Sequence, residues 1–442
     1  MATDSPAPQN EPTPLPQPQL KYIFLLIGDG MGNAQIQAAN EALLAAQQSP
    51  LCFLDFPVHA SVKTQNVSGS VTDSAAAATA ISTGQKTVNG YLGLDQNKTR
   101  IETVAETLRN LGRKIGILTT VSLDPATPGG FYAHVDSRRS YSMIADDLFA
   151  SGFDYFAGGR FHNTPDAAAY AEENGYTIIP SFEEAPTSTE GRLILSSSLE
   201  FGDYGVVPAI DGGARTDWLK KATDLGITRL TNPAGFFMMI EGGRIDYFCH
   251  YNDAASFVSE LIDFDKAVQS ALAFYQAHPQ ETLVLVTADH ETGNVSLIQG
   301  DRGALLRQTI SSDLCDDTLV KDCVTAQTPF DQALPLFVSA FGLSDLTADE
   351  TAALKEAYYR TIQNSKPGNT SDEESGVYDP ITTACINLVA ARAGVVFGSG
   401  GHTAKEVSLY ALGIGSEFFS GDYENTHIHD AILQAVSAYP IS

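Results

Sequence analysis

The chain has 442 residues, with 26 Lys and Arg against 53 Asp and Glu, for a formal net charge of −27; with no local basic stripe, that balance repels nucleic acid and anionic lipid. Its longest apolar runs, such as Tyr22 to Ile27 and Thr282 to Ala288, are far shorter than the roughly 20 residues needed to cross a bilayer, so a transmembrane segment is not expected. Such acidity also repels an anionic substrate unless bound cations reverse the field locally, which points towards metals.

The elements follow in chain order. Met1 to Pro18 carries six prolines among polar residues and no apolar run, predicting a flexible spacer over residues 1–20. Spacers of this kind often follow a cleaved export signal, so a periplasmic or extracellular protein is expected. A strand near 22–28 runs into Gly28-Asp29-Gly30-Met31-Gly32, and helices are predicted near 34–47, 74–82 and 101–111. Strands follow near 115–120 and 235–240, the latter leading into Glu241. A helix near 253–277 precedes a strand at 282–288 that runs into Asp289 and His290, and a strand near 408–413 and a helix near 428–438 close the pattern. This alternation predicts a three-layer α/β/α sandwich around a mainly parallel sheet, as one catalytic domain over 21–442. Polar, turn-rich stretches near 160–230 and 295–395 read as insertions over one rim.

In open sheets of this kind ligands bind beyond the carboxyl ends of the strands, and there acids and imidazoles recur. Asp246 and His250 are spaced i, i+4, so a helix would put both on one face with oxygen and nitrogen suited to zinc. Asp289 and His290 add a second acid and imidazole, and His402 stands in the glycine-rich turn Gly398 to Thr403. Ser74, in Thr72-Asp73-Ser74-Ala75, falls at a helix start. There it is either an ordinary cap on an alanine helix or a nucleophile favoured by the helix terminus. Of the five cysteines, Cys315 and Cys323 lie close enough in a polar, loop-like stretch to suggest a local disulfide, and no CxxC motif marks a cysteine-bound metal.

Taken together, Gly28 to Gly32, Thr72 to Ala75, Glu241 through His250, Thr287 to Gly293 and Gly401-His402-Thr403 resemble the alkaline phosphatases in order and spacing across about residues 21 to 438. The resemblance implies hydrolysis of small-molecule phosphate monoesters through a phosphoserine at Ser74. It implies one zinc held by Asp246, His250 and His402, and another by Asp29, Asp289 and His290 beside Ser74. A third ion, usually magnesium, would be shared by Asp29, Glu241 and Thr127, and Arg138 would clamp the phosphate. A homodimer is also implied. Two positions depart from the family pattern: Pro125 replaces an acid or histidine, and Tyr247 replaces a lysine or histidine, which puts occupancy of the third site in question. His134 reads as supporting structure, and His59, His162, His278, His427 and His429 carry no motif and are assigned no chemistry. The rivals are a phosphodiesterase, nucleotide pyrophosphatase or phosphomutase of the same superfamily, and a secreted phosphate- or metal-binding protein without turnover.

Overall fold

A computed structural model describes residues 17–162, 164, 166–197, 205–212, 217–364 and 378–441; residues 1–16 of the predicted spacer and parts of both predicted insertions lie outside them. The near-continuous apolar runs of the sequence need strands covered on both faces, and the sheet provides this. Its strands are β1 (Tyr22–Gly28), β2 (Val58–Lys63), β3 (Lys114–Thr119), β4 (Tyr155–Gly158), β5 (Tyr176–Ile179), β6 (Arg192–Ser196), β7 (Phe236–Gly242), β8 (Thr282–Ala288), β13 (Val407–Gly413) and β14 (Gly421–Glu424). Two short pairs lie apart from it, β9 (Glu291–Thr292) with β12 (His402–Thr403), and β10 (Ser296–Leu297) with β11 (Val395–Val396). The sheet order is β14-β2-β13-β8-β1-β7-β3-β4-β6-β5. Only β13 runs against its neighbours, antiparallel to both β8 and β2.

Every residue of β1, β7 and β8 is buried, which the helices on the two faces explain. The long helix Ala254–Ala277 packs on β1, β7 and β8 together with helices Asn33–Ala45 and Trp218–Leu230. A second group, Ser74–Thr83, Val104–Asn110 and His427–Ala438, packs together. The predicted sandwich with a mainly parallel sheet is thus the observed fold. In register, Gly28 of β1 lies opposite Gly242 of β7 and Ala288 of β8, so the three central strands end level and the residues after them meet at one edge.

Three local expectations need adjustment. The stretch near 160–230 does more than cover a rim, because β5 and β6 extend the sheet and helix Trp218–Leu230 covers it. The end of the expected spacer is already core: Leu20 is buried and its N–H donates to the Tyr439 carbonyl at 2.8 Å. Cys315 and Cys323 do not form a disulfide; both are free and buried. They lie along a helical run, Ser312–Cys315 continuing through Asp316–Val320 and Lys321–Thr325. Eight residues of helix span on the order of 12 Å, well beyond the roughly 7 Å between Cα atoms that a disulfide tolerates.

Candidate active site

Ser74 opens helix Ser74–Thr83, whose alanine run is the strongest helix-forming sequence available. The cap is its neighbour: the Asp73 side chain accepts from the Ala76 N–H at 3.0 Å, and Gly84 ends the helix in the left-handed region at φ +71. The serine is therefore not the cap of this helix, and its hydroxyl takes no part in capping. Ser74 is buried, and its Oγ lies 3.2 Å from His290 Nε2. The second oxygen of Asp73 accepts from the Gly90 N–H at 3.0 Å and from Arg138 Nη1 at 3.2 Å, which fixes the arginine beside the serine.

Three imidazoles gather around Asp246, and each is oriented by its other ring nitrogen. His250 Nδ1 lies 2.6 Å from the Gly400 carbonyl and His402 Nδ1 lies 3.0 Å from the Thr72 carbonyl. A carbonyl only accepts, so both Nδ1 atoms donate there, and in the neutral rings both Nε2 atoms turn lone pairs inward. Those two Nε2 atoms stand 3.1 Å apart, at 3.1 and 3.7 Å from oxygens of Asp246. His290 follows the same logic, since Thr292 Oγ1 donates to Asp246 and lies 3.2 Å from His290 Nδ1. Its Nε2 then faces Asp29 at 3.5 Å and Asp289 at 3.3 Å. The pairing of β9 with β12 sets His402 opposite Thr292 and brings the His290 and His402 rings into a stack at 3.6 Å.

The carboxylates are short of partners. Asp29 Oδ1, Glu241 Oε2 and Asp289 Oδ2 are buried without a hydrogen bond. Burial, reinforced by the neighbouring acids, raises Asp29 well above the usual carboxylate range and Asp289 to about 8, while Glu241 is pushed up to about 7 chiefly by burial. Burial likewise works against ionisation of Asp246, but its bond to His250 and the surrounding imidazoles hold it below the ordinary range. Unpaired buried carboxylates of this kind are stabilised when they coordinate metals. The donor set fits that role: ligand atoms of Asp246, His250 and His402 lie within 4.8 Å of one another, as do those of Asp29, Asp246 and His290. Asp246 therefore reaches towards both groups, and Asp289 approaches the second through His290. Thr127 Oγ1 donates to Asp29 at 3.2 Å, and Glu241 lies beside both.

A cleft of about 210 Å³ opens onto this cluster, lined by Asp29, Ser74, Thr127, Arg138, Glu241, Asp246 and His250. Asp289, His290 and His402 stand behind them through the contacts above. Both departures from the family pattern, Pro125 and Tyr247, also line the cleft, and the Tyr247 hydroxyl donates to Asp313 at 3.1 Å. His134 is held by Gly93 and Glu106, the supporting part expected of it. His162, which carries no motif in the sequence, lines the cleft as well, with Ser122 and Tyr141. No spacing in the sequence joins it to the other site residues.

Gly30 shows how tightly the edge is built. It sits at φ +69, and a Cβ there would come within 2.7 Å of Asp246 Oδ1 and 2.8 Å of its Cα. Gly30→Ala should displace Asp246 and weaken divalent-cation binding about tenfold or more while leaving the far-ultraviolet dichroism spectrum unchanged; calorimetric titration with zinc checks this.

The fold and the cluster define a class: an α/β protein that gathers carboxylates and imidazoles at its sheet edge, fit to hold cations beside a helix-start serine. The family model "Alkaline phosphatase" matches residues 20–155 and 200–438, and the chain belongs to that family. It is 28% identical over 425 residues to alkaline phosphatase 4 of Bacillus subtilis (strain 168), covering 92% of this chain and 87% of that one. A cold-active alkaline phosphatase from the psychrophile Shewanella sp. superposes with a TM-score of 0.80 at 26% identity, over 95% of this chain and all of that one. A mutant alkaline phosphatase of TAB5, described with Mg bound in the M3 site, matches with a TM-score of 0.67 at 27% identity, over 96% of this chain and 99% of that one.

Proposed function

We propose that the chain, acting as one catalytic domain over residues 21–442, hydrolyses phosphate monoesters to an alcohol and inorganic phosphate through a phosphoserine at Ser74. One observation carries the reading: the Ser74 hydroxyl is released from capping by Asp73 and faces a cluster of imidazoles and carboxylates fit for cations. Asp246, His250 and His402 would hold one zinc, Asp29, Asp289 and His290 with Ser74 a second, and Asp29, Glu241 and Thr127 a magnesium. When bound, these ions would neutralise the buried carboxylates and stabilise charge developing on the phosphoryl oxygens. The N-terminus of helix Ser74–Thr83 favours negative charge on Oγ. Ser74 gives its hydroxyl proton to solvent, Oγ attacks phosphorus as the bond to the alcohol oxygen breaks, and the alcohol leaves with a proton from solvent. Water then attacks phosphorus from the vacated side and gives up a proton to solvent, the Oγ–phosphorus bond breaks, Oγ takes a proton back, and phosphate departs.

Arg138, anchored by Asp73, offers its planar fork to two phosphate oxygens. Arg138→Ala should lower kcat/KM about 10²- to 10³-fold, with Arg138→Lys restoring only part because an ammonium lacks the fork; steady-state kinetics with inorganic phosphate as competing ligand reads both. The function itself is tested by comparing p-nitrophenyl phosphate with bis-p-nitrophenyl phosphate at alkaline pH. Faster turnover of the monoester is expected, preference for the diester would move the chain to the phosphodiesterase rival, and turnover of neither would leave a binding protein. The reading includes a periplasmic or extracellular homodimer, in keeping with the family; sedimentation of the purified chain checks the assembly.

A further inference from the structure

The cleft wall also carries a second set of polar groups that the reaction above does not use. Asp124, fully buried on the loop after β3, spends both oxygens on one residue: Oδ2 accepts from the His162 N–H at 2.8 Å, and Oδ1 lies 2.7 Å from His162 Nδ1. Ser122 Oγ lies 3.0 Å from the same nitrogen. The Tyr141 ring stacks on the imidazole with centroids 4.2 Å apart and planes 10° apart. Backbone, ring nitrogen and ring face are thus all fixed, which is more constraint than a surface histidine needs. A carboxylate at Nδ1 also places the proton there and makes Nε2 the acceptor in the neutral ring.

His162 stands at a junction. It lines the cleft that holds Ser74 and Arg138, and it also lines an adjoining cavity of about 510 Å³. That cavity is walled by apolar Phe161 and Ile178 and by polar Arg160 and Ser196. An ester bound with its phosphorus at Ser74 must point its alcohol away from the buried cluster, and a neighbouring cavity with mixed walls suits an alcohol part that carries both a ring and hydrogen-bonding groups.

We propose that His162 is a substrate-contacting residue, positioned by Asp124 and Tyr141, and that the cavity beside it is a leaving-group subsite for ring-bearing, hydroxylated alcohols such as nucleosides. The proposal rests on the monoesterase reading for the orientation of the ester. It makes the region near 160–230 the element that selects substrates, since His162, Phe161, Ile178 and Ser196 all come from it.

The test measures binding of adenosine 5′-monophosphate and of methyl phosphate to metal-loaded Ser74→Ala protein by calorimetry, and turnover of both esters with Ser74 in place. His162→Ala should weaken binding of the nucleotide about tenfold, the loss of one good contact, and leave methyl phosphate within about twofold. Ile178→Trp, which fills the cavity without touching the histidine's anchors, should discriminate in the same sense, and Asp124→Asn should follow His162→Ala. Equal weakening of both esters, or no weakening of either, would overturn the subsite. So would a parent protein that binds the nucleotide no more tightly than methyl phosphate. If the discrimination holds in binding while neither ester is hydrolysed by the Ser74 protein, the subsite stands and the monoesterase reading falls.

Discussion

Ser74→Ala is expected to cut phosphate release from a monoester by about 10⁴-fold or more, the scale on which removal of a nucleophile acts. The structure makes this a clean substitution. Because Asp73 supplies the cap and accepts from Ala76, the helix keeps its N-terminal bond, and alanine is the best helix former. Folding stability should therefore change by no more than about 1 kcal/mol. The cation ligands apart from Oγ are untouched, so elemental analysis should return nearly the same zinc content. The diagnostic complement is a burst of phosphoserine trapped by acid quench in the parent protein and absent from the variant. Retention of most turnover in the variant would remove Ser74 from the mechanism and favour direct attack by water.

Removing the cations should make the protein less stable as pH rises from 7 to 9. Asp289, pushed up to about 8, and Glu241, to about 7, are buried acids whose neutral forms the folded state prefers. Unfolded, both release their protons near pH 4, so up to their folded values the native state binds protons that the unfolded state lacks. Stability then falls with rising pH until those folded values are passed. His250 adds to the trend: burial opposes its charge, but Asp246 outweighs burial and raises it to about 9. That contribution is complete below the unfolded value near 6.5 and is lost as pH climbs through 9. His290, held well below its ordinary value chiefly by burial, acts in the opposite sense only below about pH 6.5. The melting temperature of chelator-stripped protein should thus drop by on the order of 5 °C between pH 7 and 9. Zinc and magnesium together should flatten the curve, since their coordination would neutralise the same carboxylates. A stripped protein whose melting temperature stays level or rises over this window would show that the carboxylates are not held as buried acids.

The parts of this molecule that were legible beforehand share a physical cause. Strands β1, β7 and β8 are apolar throughout because helices cover both faces, and Asp29, Asp246, Asp289 and His290 follow strand ends where an open sheet presents its residues. Strand β2, by contrast, is mostly half-exposed and has no clean alternation to betray it, while β4, β5 and β14 are four residues long, too short for periodicity to register. Which residue caps the helix was ambiguous because Asp and Ser both do so, and only the bond from the Ala76 N–H to Asp73 shows that it is the aspartate. His162 was opaque for another reason. Its partner Asp124 is 38 residues away across two helices and a strand, and nothing in either local sequence encodes that meeting.

The five cysteines, four buried and one partly so, are all unpaired. No disulfide holds the chain ends, the outer helices or the sheet to one another, so the fold rests on non-covalent contacts alone. Biosynthesis asks nothing of oxidants or disulfide isomerases, and a reductant added to the finished protein finds no bond to cleave.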